Sequence, residues 1–336
     1  MLYRVVRPLM FRLDPETAHS LTLRSLAMLQ SAGMAKLLAG RIAHKPVRVM
    51  GLDFPNPVGL AAGLDKHAEF VDALASLGFG FLEVGGVTPR PQPGNARPRV
   101  FRLPTAEAII NRFGFNSVGA EKFAKNLRLA RFKGILGVNL GKNKDTPICN
   151  AAQDYAYSLE KIYPLAHFAT INISSPNTAN LRDLQSADEL APLLATLHRV
   201  REDLAQQHGR RVALAVKIAP DIDDAGIEAI ASVAVEQKMD AIIATNTTLS
   251  REGVRGMRHA EEQGGLSGAP LREASTVVIR KLSRALDGAL PIIGVGGIMS
   301  AEHAREKLDA GASLLQLYCG LVYRGPGVVA DIVNGL

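Results

Sequence analysis

The chain has 336 residues, 47% of them hydrophobic and 21% charged, with 31 glycines, a balance that excludes a disordered, fibrous or disulfide-stapled protein. Enough apolar material is present for a sizeable core, in one large domain or two smaller ones. The net charge of +7 and a pI near 9.5 leave an anionic membrane surface, small anionic ligands or nucleic acid open as partners, but no long Lys/Arg block with interleaved aromatics occurs, so nucleic acid is not expected.

At the amino end, Leu2, Val5, Val6, Leu9 and Leu13 fall at helical spacing, with Arg4, Arg7 and Arg12 on other sides. Such a basic amphipathic stretch either lies on an anionic membrane or packs on the rest of the fold, and Pro8 limits its helix to a short piece. Asp14-Pro15-Glu16 reads as a helix start, Asp14 capping and Pro15 in the first turn, and Gly33 as its stop. Residues 1–45 are therefore expected to form a helical extension ahead of the main domain, residues 46–336. No apolar run reaches the roughly 18 to 20 residues that span a bilayer. The opening residues also lack a signal peptide's pattern, so the protein is expected to be neither secreted nor transmembrane. Cys149 and Cys319 form no C-x-x-C pair, which argues for a reducing compartment and against a structural metal.

From residue 57 onward, short apolar runs alternate with helix-like stretches, the pattern of repeated βα units. Eight strands are expected: Pro57 to Ala61, Gly80 to Val84, Ile135 to Asn139, Phe168 to Asn172, Ala213 to Lys217, Ala241 to Thr245, Ile292 to Val295 and Ser313 to Leu317. Runs such as ALAVKI and AIIAT suit strands buried on both faces. An open doubly wound sheet fits less well, because Ala61-Ala62-Gly63-Leu64-Asp65 makes no G-x-G-x-x-G turn. The expected fold is an α/β (β/α)8 TIM barrel. Lys66, Thr88, Asn139, Asn172, Lys217, Thr245, Gly297 and Tyr318 fall at or after the carboxyl ends of these runs, the face where barrels build their sites.

Lys217 shares one strand face with the small Ala213 and Ala215, so its ammonium either snorkels from the strand end or meets an anion inside the barrel. The glycines at 294, 296 and 297, with Ser300 as a helix cap, and a second glycine-rich loop over residues 264–268 can cradle a phosphate, of FMN or of a sugar phosphate. Asn172-Ile173-Ser174-Ser175-Pro176-Asn177-Thr178 leaves a strand end as a polar loop. A serine hydroxyl there is a poor base unless desolvated and relayed to water. Asn111, Asn172, Asn177 and Asn246 each offer a donor and an acceptor, which suits a cyclic ureide ring, and Lys66 adds charge for a carboxylate.

These segments, AAGLDK (61–66), VTPRPQPGN (87–95), NRFGFN (111–116), GVNLGKNKDT (137–146), INISSPNT (171–178), VKIAPD (216–221), ATNTT (244–248), GGLSG (264–268) and IGVGGI (293–298), closely resemble the class 2 dihydroorotate dehydrogenases of bacteria. The match runs in register over almost the whole chain and includes LDPE-x-AH (13–19). The resemblance implies oxidation of (S)-dihydroorotate to orotate in pyrimidine (UMP) synthesis, with FMN reduced and then reoxidised by a membrane quinone. Ser175 matches the family's catalytic base, taking a proton from C5 while hydride passes from C6 to flavin N5. Lys66, Asn111, Arg112, Phe113, Gly114, Phe115, Asn172, Asn177, Asn246 and Thr247 match substrate contacts. Ala62, Gly63, Leu64, Asp65, Lys66, Gly86, Asn139, Asn172, Lys217, Thr245, Gly268, Gly297, Tyr318 and Cys319 match flavin contacts.

By the same resemblance, the extension forms a quinone entrance, with His19, Arg102 and Tyr318 near the route to the flavin. The protein is then expected to be a monomer held peripherally on the cytoplasmic side of the bacterial inner membrane. Two positions depart from the pattern: Gly86 stands where a hydroxyl residue is expected and Cys319 where serine is usual. The rival readings are a flavin-dependent tRNA dihydrouridine synthase, which would carry a cysteine where Ser175 stands, a flavin-free sugar-phosphate barrel, and a barrel that only binds a ligand or membrane.

Overall fold

A computed structural model describes residues 2–336. The chain opens with α1 (Leu2–Met10), which carries Pro8 within it and stops two residues later. The side chains of Leu2 and Arg4 lie outside those described, but the rest of the stripe is plain: Val5, Leu9 and Leu13 are 70%, 56% and 37% exposed. Val5, Leu9 and Leu13 thus point to solvent and Val6 is half-buried; Arg12 is exposed, while Tyr3 and Arg7 turn inward. Tyr3 donates its hydroxyl hydrogen to the carbonyl of Val322, and Arg7 Nη1 donates to that of Tyr323 at 2.8 Å.

Next comes α2 (Pro15–Ser31), begun as its sequence dictates: the Asp14 carboxylate accepts from the backbone N–H groups of Glu16 and Thr17 at 3.1 and 2.9 Å, with Pro15 at the first position. It gives out at Ala32, and Gly33 takes the left-handed φ of 72° that ends the turn. After α3 (Lys36–Ala39), strands β1 (Val47–Val49) and β2 (Leu52–Phe54) form a hairpin absent from the sequence reading. Its two turn residues, Met50 and Gly51, have φ of 54° and 73°, as a two-residue hairpin turn requires.

The main domain runs β3 (Val58–Leu60), α4 (Val71–Ala75), β4 (Phe81–Val87), β5 (Val100–Leu103), β6 (Ala108–Asn111), α5 (Ala120–Leu129), β7 (Ile135–Leu140), α6 (Ala151–Ile162) and β8 (Phe168–Asn172). It continues α7 (Ala187–His208), β9 (Ala213–Ile218), α8 (Asp224–Glu236), β10 (Ala241–Ala244), β11 (Gly265–Gly268), α9 (Arg272–Leu286), β12 (Ile292–Val295), α10 (Ala301–Asp309), β13 (Ala312–Leu317), α11 (Cys319–Arg324) and α12 (Val328–Gly335). Strands β3, β4, β7, β8, β9, β10, β12 and β13 close into a parallel barrel in that order, and they are the eight runs read from the sequence. The fold is an α/β TIM barrel.

Two excursions leave the carboxyl ends of β4 and β10 and meet as an antiparallel sheet, β11-β6-β5. The residues expected as a second glycine loop, 264–268, are therefore mostly a strand: pairing with β6 satisfies their backbone groups, which a loop would leave to solvent or ligand.

Alternation of side chains fills the barrel. Phe81 and Phe168 meet edge to face near its amino end, with ring centroids 6.1 Å apart, and Phe54 of the hairpin meets Phe81 edge to face at 5.2 Å. Gly59 and Gly137 make room for them: a Cβ at either would lie 2.3 or 2.0 Å from a phenylalanine ring. Above this apolar plug the interior positions turn polar, with Glu83, Thr170, Asn139, Asn172, Lys217 and Gln316 all buried.

Candidate active site

The carboxyl ends of the barrel strands open into a cavity of about 1020 Å³, open solvent included, whose walls draw on the barrel strands and on both excursions. Of the polar strand-end residues singled out from the sequence, all but Thr88 line it; Thr88 is buried and donates to the carbonyl of Arg90 at 2.8 Å. Ala62, Gly63, Gly86, Gly268 and Gly297 border the cavity with Lys66, and Cys319 borders it at the start of α11.

A chain of hydrogen bonds crosses the floor. Asn246 Nδ2 donates to Asn172 Oδ1 at 3.3 Å and to Ser174 Oγ at 3.0 Å; Asn172 Nδ2 donates to Asn139 Oδ1 at 2.9 Å; Asn139 Nδ2 donates to Glu83 at 2.7 Å. From the other side Gln316 Nε2 donates to the second oxygen of Glu83 at 2.5 Å. Ser175 Oγ accepts from the backbone N–H of Asn177 at 3.3 Å, and Asn177 Nδ2 reaches Asn111 Oδ1 at 3.4 Å. Among the described residues no histidine or carboxylate hydrogen-bonds Ser175.

Lys66 sits over the ring of Phe113, Nζ 4.4 Å from the centroid, and Arg99 approaches the same ring at 5.4 Å. Burial, helped by the Arg99 charge, pushes the Lys66 ammonium down to about 8. Arg99 is anchored from outside: it makes three hydrogen bonds of 3.0 to 3.2 Å to the carboxylate of Glu16 on α2 and donates to the carbonyls of Pro93 and Asn95 at 2.8 and 3.0 Å.

Several expected contacts stand elsewhere. Arg112 turns out of the cavity, donating to Glu262 at 2.8 Å and to the carbonyls of Gln263 and Pro98, with its guanidinium over Phe101. A paired, stacked guanidinium has nothing to gain by turning inward. Leu64 packs in the core, and the Asp65 carboxylate accepts from the N–H groups of Glu69 and Phe70 at 3.0 and 2.8 Å, so both shape the turn into α4 and do not line the cavity. His19 and Arg102 also stand outside the lining. Burial and the Lys66 charge push the His19 imidazole down to about 4. Arg102 donates to the carbonyls of Met10, Phe11 and Leu13 with its guanidinium 4.7 Å over the Phe11 ring, tying the α1–α2 junction to β5. Gly86, at φ 115° in a bulge of β4, reaches the cavity through its backbone; Cys319 Sγ lies 3.2 Å from Ser267 Oγ, and burial pushes its thiol up to about 12. That thiol is neutral and unreactive at physiological pH.

Gln316 lines the cavity without having been singled out. Gln316 and Glu83 carried a usable signal: each is polar inside an apolar run, at inward alternation with Leu314 and Phe81.

The cavity fits a flat ring with a polar tail. Lys217 is buried there with no anionic partner among the described residues, and Asn177 Oδ1, Thr247 Oγ1 and Gln316 Oε1 are buried without hydrogen bonds. A Cβ at Gly63 would stand within 4 Å of Lys66 Nζ and Tyr318, taking space the glycine leaves free. Gly268, Gly296 and Gly297, with φ of 103°, 125° and 69°, hold backbone conformations that suit a phosphate cradle.

The family model for dihydroorotate dehydrogenase matches residues 45–336. A relative from Nitrosomonas eutropha named dihydroorotate dehydrogenase (quinone) is 58% identical over 335 residues, covering 99% of this chain and 97% of its own. One of the same name from Burkholderia ambifaria is 58% identical, covering 100% and 97%. Solved structures of DHODH from Eimeria tenella, one with ferulenol and one ligand-free, superimpose with TM-scores of 0.85 and 0.87 at 38% and 39% identity; each covers 96% of this chain, and the chain covers 90% and 94% of them. The chain is an enzyme that belongs to the dihydroorotate dehydrogenase family.

Proposed function

We propose that this protein oxidises (S)-dihydroorotate to orotate, with electrons passing through FMN to a membrane quinone, as the redox step of pyrimidine (UMP) synthesis. The observation that carries the reading is the convergence of Ser175, Lys66 and the asparagines 111, 172, 177 and 246 on one cavity that Lys217 and the glycines 268, 296 and 297 also line. FMN, when bound, supplies the acceptor for the hydride leaving C6.

Lys66 pairs with the substrate carboxylate while protonated, and the asparagine amides, with Thr247, match the alternating N–H and C=O groups of the ring. Phe113, Gly114 and Phe115 wall that end of the cavity. Ser175 takes the proton from C5, and its own hydroxyl proton passes on to water. The surrounding loop excludes bulk solvent while this happens. Lys217 and the backbone of Gly268 and Gly297 hold FMN, beside Ala62, Gly63, Gly86, Asn139, Thr245, Tyr318 and Cys319.

The extension, residues 1–45, serves as the membrane contact and quinone entrance to the barrel of residues 46–336. Its outward apolar side chains, Val5, Leu9, Met28 and Leu37 among them, support a peripheral contact, and His19, Arg102 and Tyr318 lie along the proposed route inward. No helix among the described residues is long and apolar enough to cross a membrane. The protein works as a monomer on the cytoplasmic face of the bacterial inner membrane.

The decisive experiment is an anaerobic absorbance spectrum before and after dihydroorotate, followed by a quinone. Bleaching and recovery of a flavin band is the expected result. Bound flavin that dihydroorotate leaves oxidised would refute the substrate, and a protein that takes up no FMN would refute the cofactor.

A further inference from the structure

Glu83 is fully buried, lies beneath the cavity and contributes nothing to its lining. Both its oxygens accept from amide nitrogens, Asn139 Nδ2 at 2.7 Å and Gln316 Nε2 at 2.5 Å. A carboxylate can only accept, so each neighbouring amide must turn its NH2 toward it. On the asparagine side this merely agrees with orientations already fixed from the far end, where backbone N–H groups of Thr247 and Ser174 donate to Asn246 Oδ1 and Asn172 Oδ1. On the other side Glu83 alone decides. With Nε2 held by the carboxylate, Gln316 is left with Oε1, a buried acceptor that has no partner among the described residues, on a residue that lines the cavity.

We propose that Gln316 is a further binding residue for the resident ring cofactor, accepting a hydrogen bond from one of its N–H or hydroxyl groups, and that Glu83 is the positioning residue that keeps the acceptor end of the Gln316 amide turned toward it. This rests on the reading of the cavity as an FMN site. An unpaired acceptor at this depth is costly unless a ligand supplies the donor. A carboxylate in place of an amide at position 83 removes the competing orientation in which Gln316 would present Nε2 and meet that donor with another.

The chemistry yields a swap test read by FMN affinity of the apoprotein, with a urea midpoint as the check on folding. In Glu83→Gln the new amide can still satisfy both neighbours, provided Gln316 turns over. The barrel then keeps its hydrogen bonds while the cavity loses its acceptor. FMN affinity should fall about tenfold, the worth of one hydrogen bond to a buried partner, with the midpoint unchanged. The exchange Glu83→Gln/Gln316→Glu puts the carboxylate at the cavity wall, where one oxygen accepts from the new amide and the other faces the ligand, and should recover affinity to within about threefold. Gln316→Met, of similar size with no strong acceptor, should bind as weakly as Glu83→Gln.

Wild-type affinity in Glu83→Gln, or an exchange variant as weak as the single one, overturns the proposal. So does a loss confined to orotate binding by the FMN-loaded protein, which would put the donor on the substrate. If Glu83→Gln does not fold, the exchange and Gln316→Met decide by the same criteria. A wild-type apoprotein that takes up no FMN would instead defeat the cofactor reading on which the proposal stands.

Discussion

Lys66 is held below its ordinary value by burial and by Arg99, so its charge is lost within reach of physiological pH. Under the proposed function the ammonium, present below about 8, is the form that binds the substrate carboxylate. KM for dihydroorotate should therefore rise as pH climbs above about 8, approaching tenfold per unit, while Lys66→Met should give a high KM that no longer depends on pH in this range. Stability runs the other way for this group. The folded lysine holds its proton less tightly than the unfolded one at 10.5, so its contribution grows more favourable as pH rises between the two values. Among the described residues Ser175 has only a backbone N–H on its oxygen, so a base role depends on its position and on exclusion of water. Ser175→Ala should keep its FMN and slow anaerobic flavin reduction by about 10²- to 10⁴-fold, and a near-normal rate in stopped flow would remove serine from the chemistry. The asparagines were legible because several amides at strand ends and in the loops that follow them have few structural reasons to gather there. Arg112 was not: its partner Glu262 is 150 residues away, and nothing local distinguishes a guanidinium that faces a ligand from one that faces a carboxylate.

At the scale of elements, α2 does more than border the barrel. Glu16 in its first turn grips Arg99, whose side chain is only 6% exposed, and Arg99 in turn holds the carbonyls of Pro93 and Asn95 and backs the ring of Phe113. Removing one partner of such a pair leaves a charge with poor solvation. Glu16→Gln should cost about 2–4 kcal/mol in urea unfolding and raise KM for dihydroorotate, because the loop that carries Phe113 loses its anchor. An unchanged KM alongside reduced stability would confine Glu16 to a structural role. The eight barrel strands were legible because each is a short apolar run buried on both faces, followed by a helical stretch. The sheet β11-β6-β5 was hidden because its strands are four residues each and four barrel strands, β7, β8, β9 and β10, lie between β6 and β11 in the chain. Local pattern cannot report a pairing of that separation. Asp14 and Pro15 marked the start of α2 correctly because capping is a local interaction, complete within three residues.

Over the whole molecule, the extension presents two chemically distinct sides, and that distinction decides how its role can be tested. The outward side carries Val5, Leu9, Met28, Met34 and Leu37, each at least half exposed. The inward side buries Leu23 and Leu26 in the main core and delivers Glu16 to Arg99. Deleting residues 1–45 removes both sides at once. It would uncover apolar barrel surface and free Arg99, so loss of activity toward quinone and toward dihydroorotate together is expected, along with a lower unfolding midpoint. Such a deletion cannot separate membrane contact from support of the substrate loop. Leu9→Ser with Leu37→Ser touches only the outward side. If that face meets the membrane, the double variant should partition into anionic vesicles about tenfold less well, since each leucine contributes roughly 1.5–3 kcal/mol when fully buried and less at an interface. Turnover with a membrane-embedded quinone should fall in step, while anaerobic flavin reduction by dihydroorotate and the urea midpoint stay as in the wild type. Equal loss in both half-reactions would mean that the outward residues act through the fold, and unchanged vesicle partitioning would take the membrane away from this face.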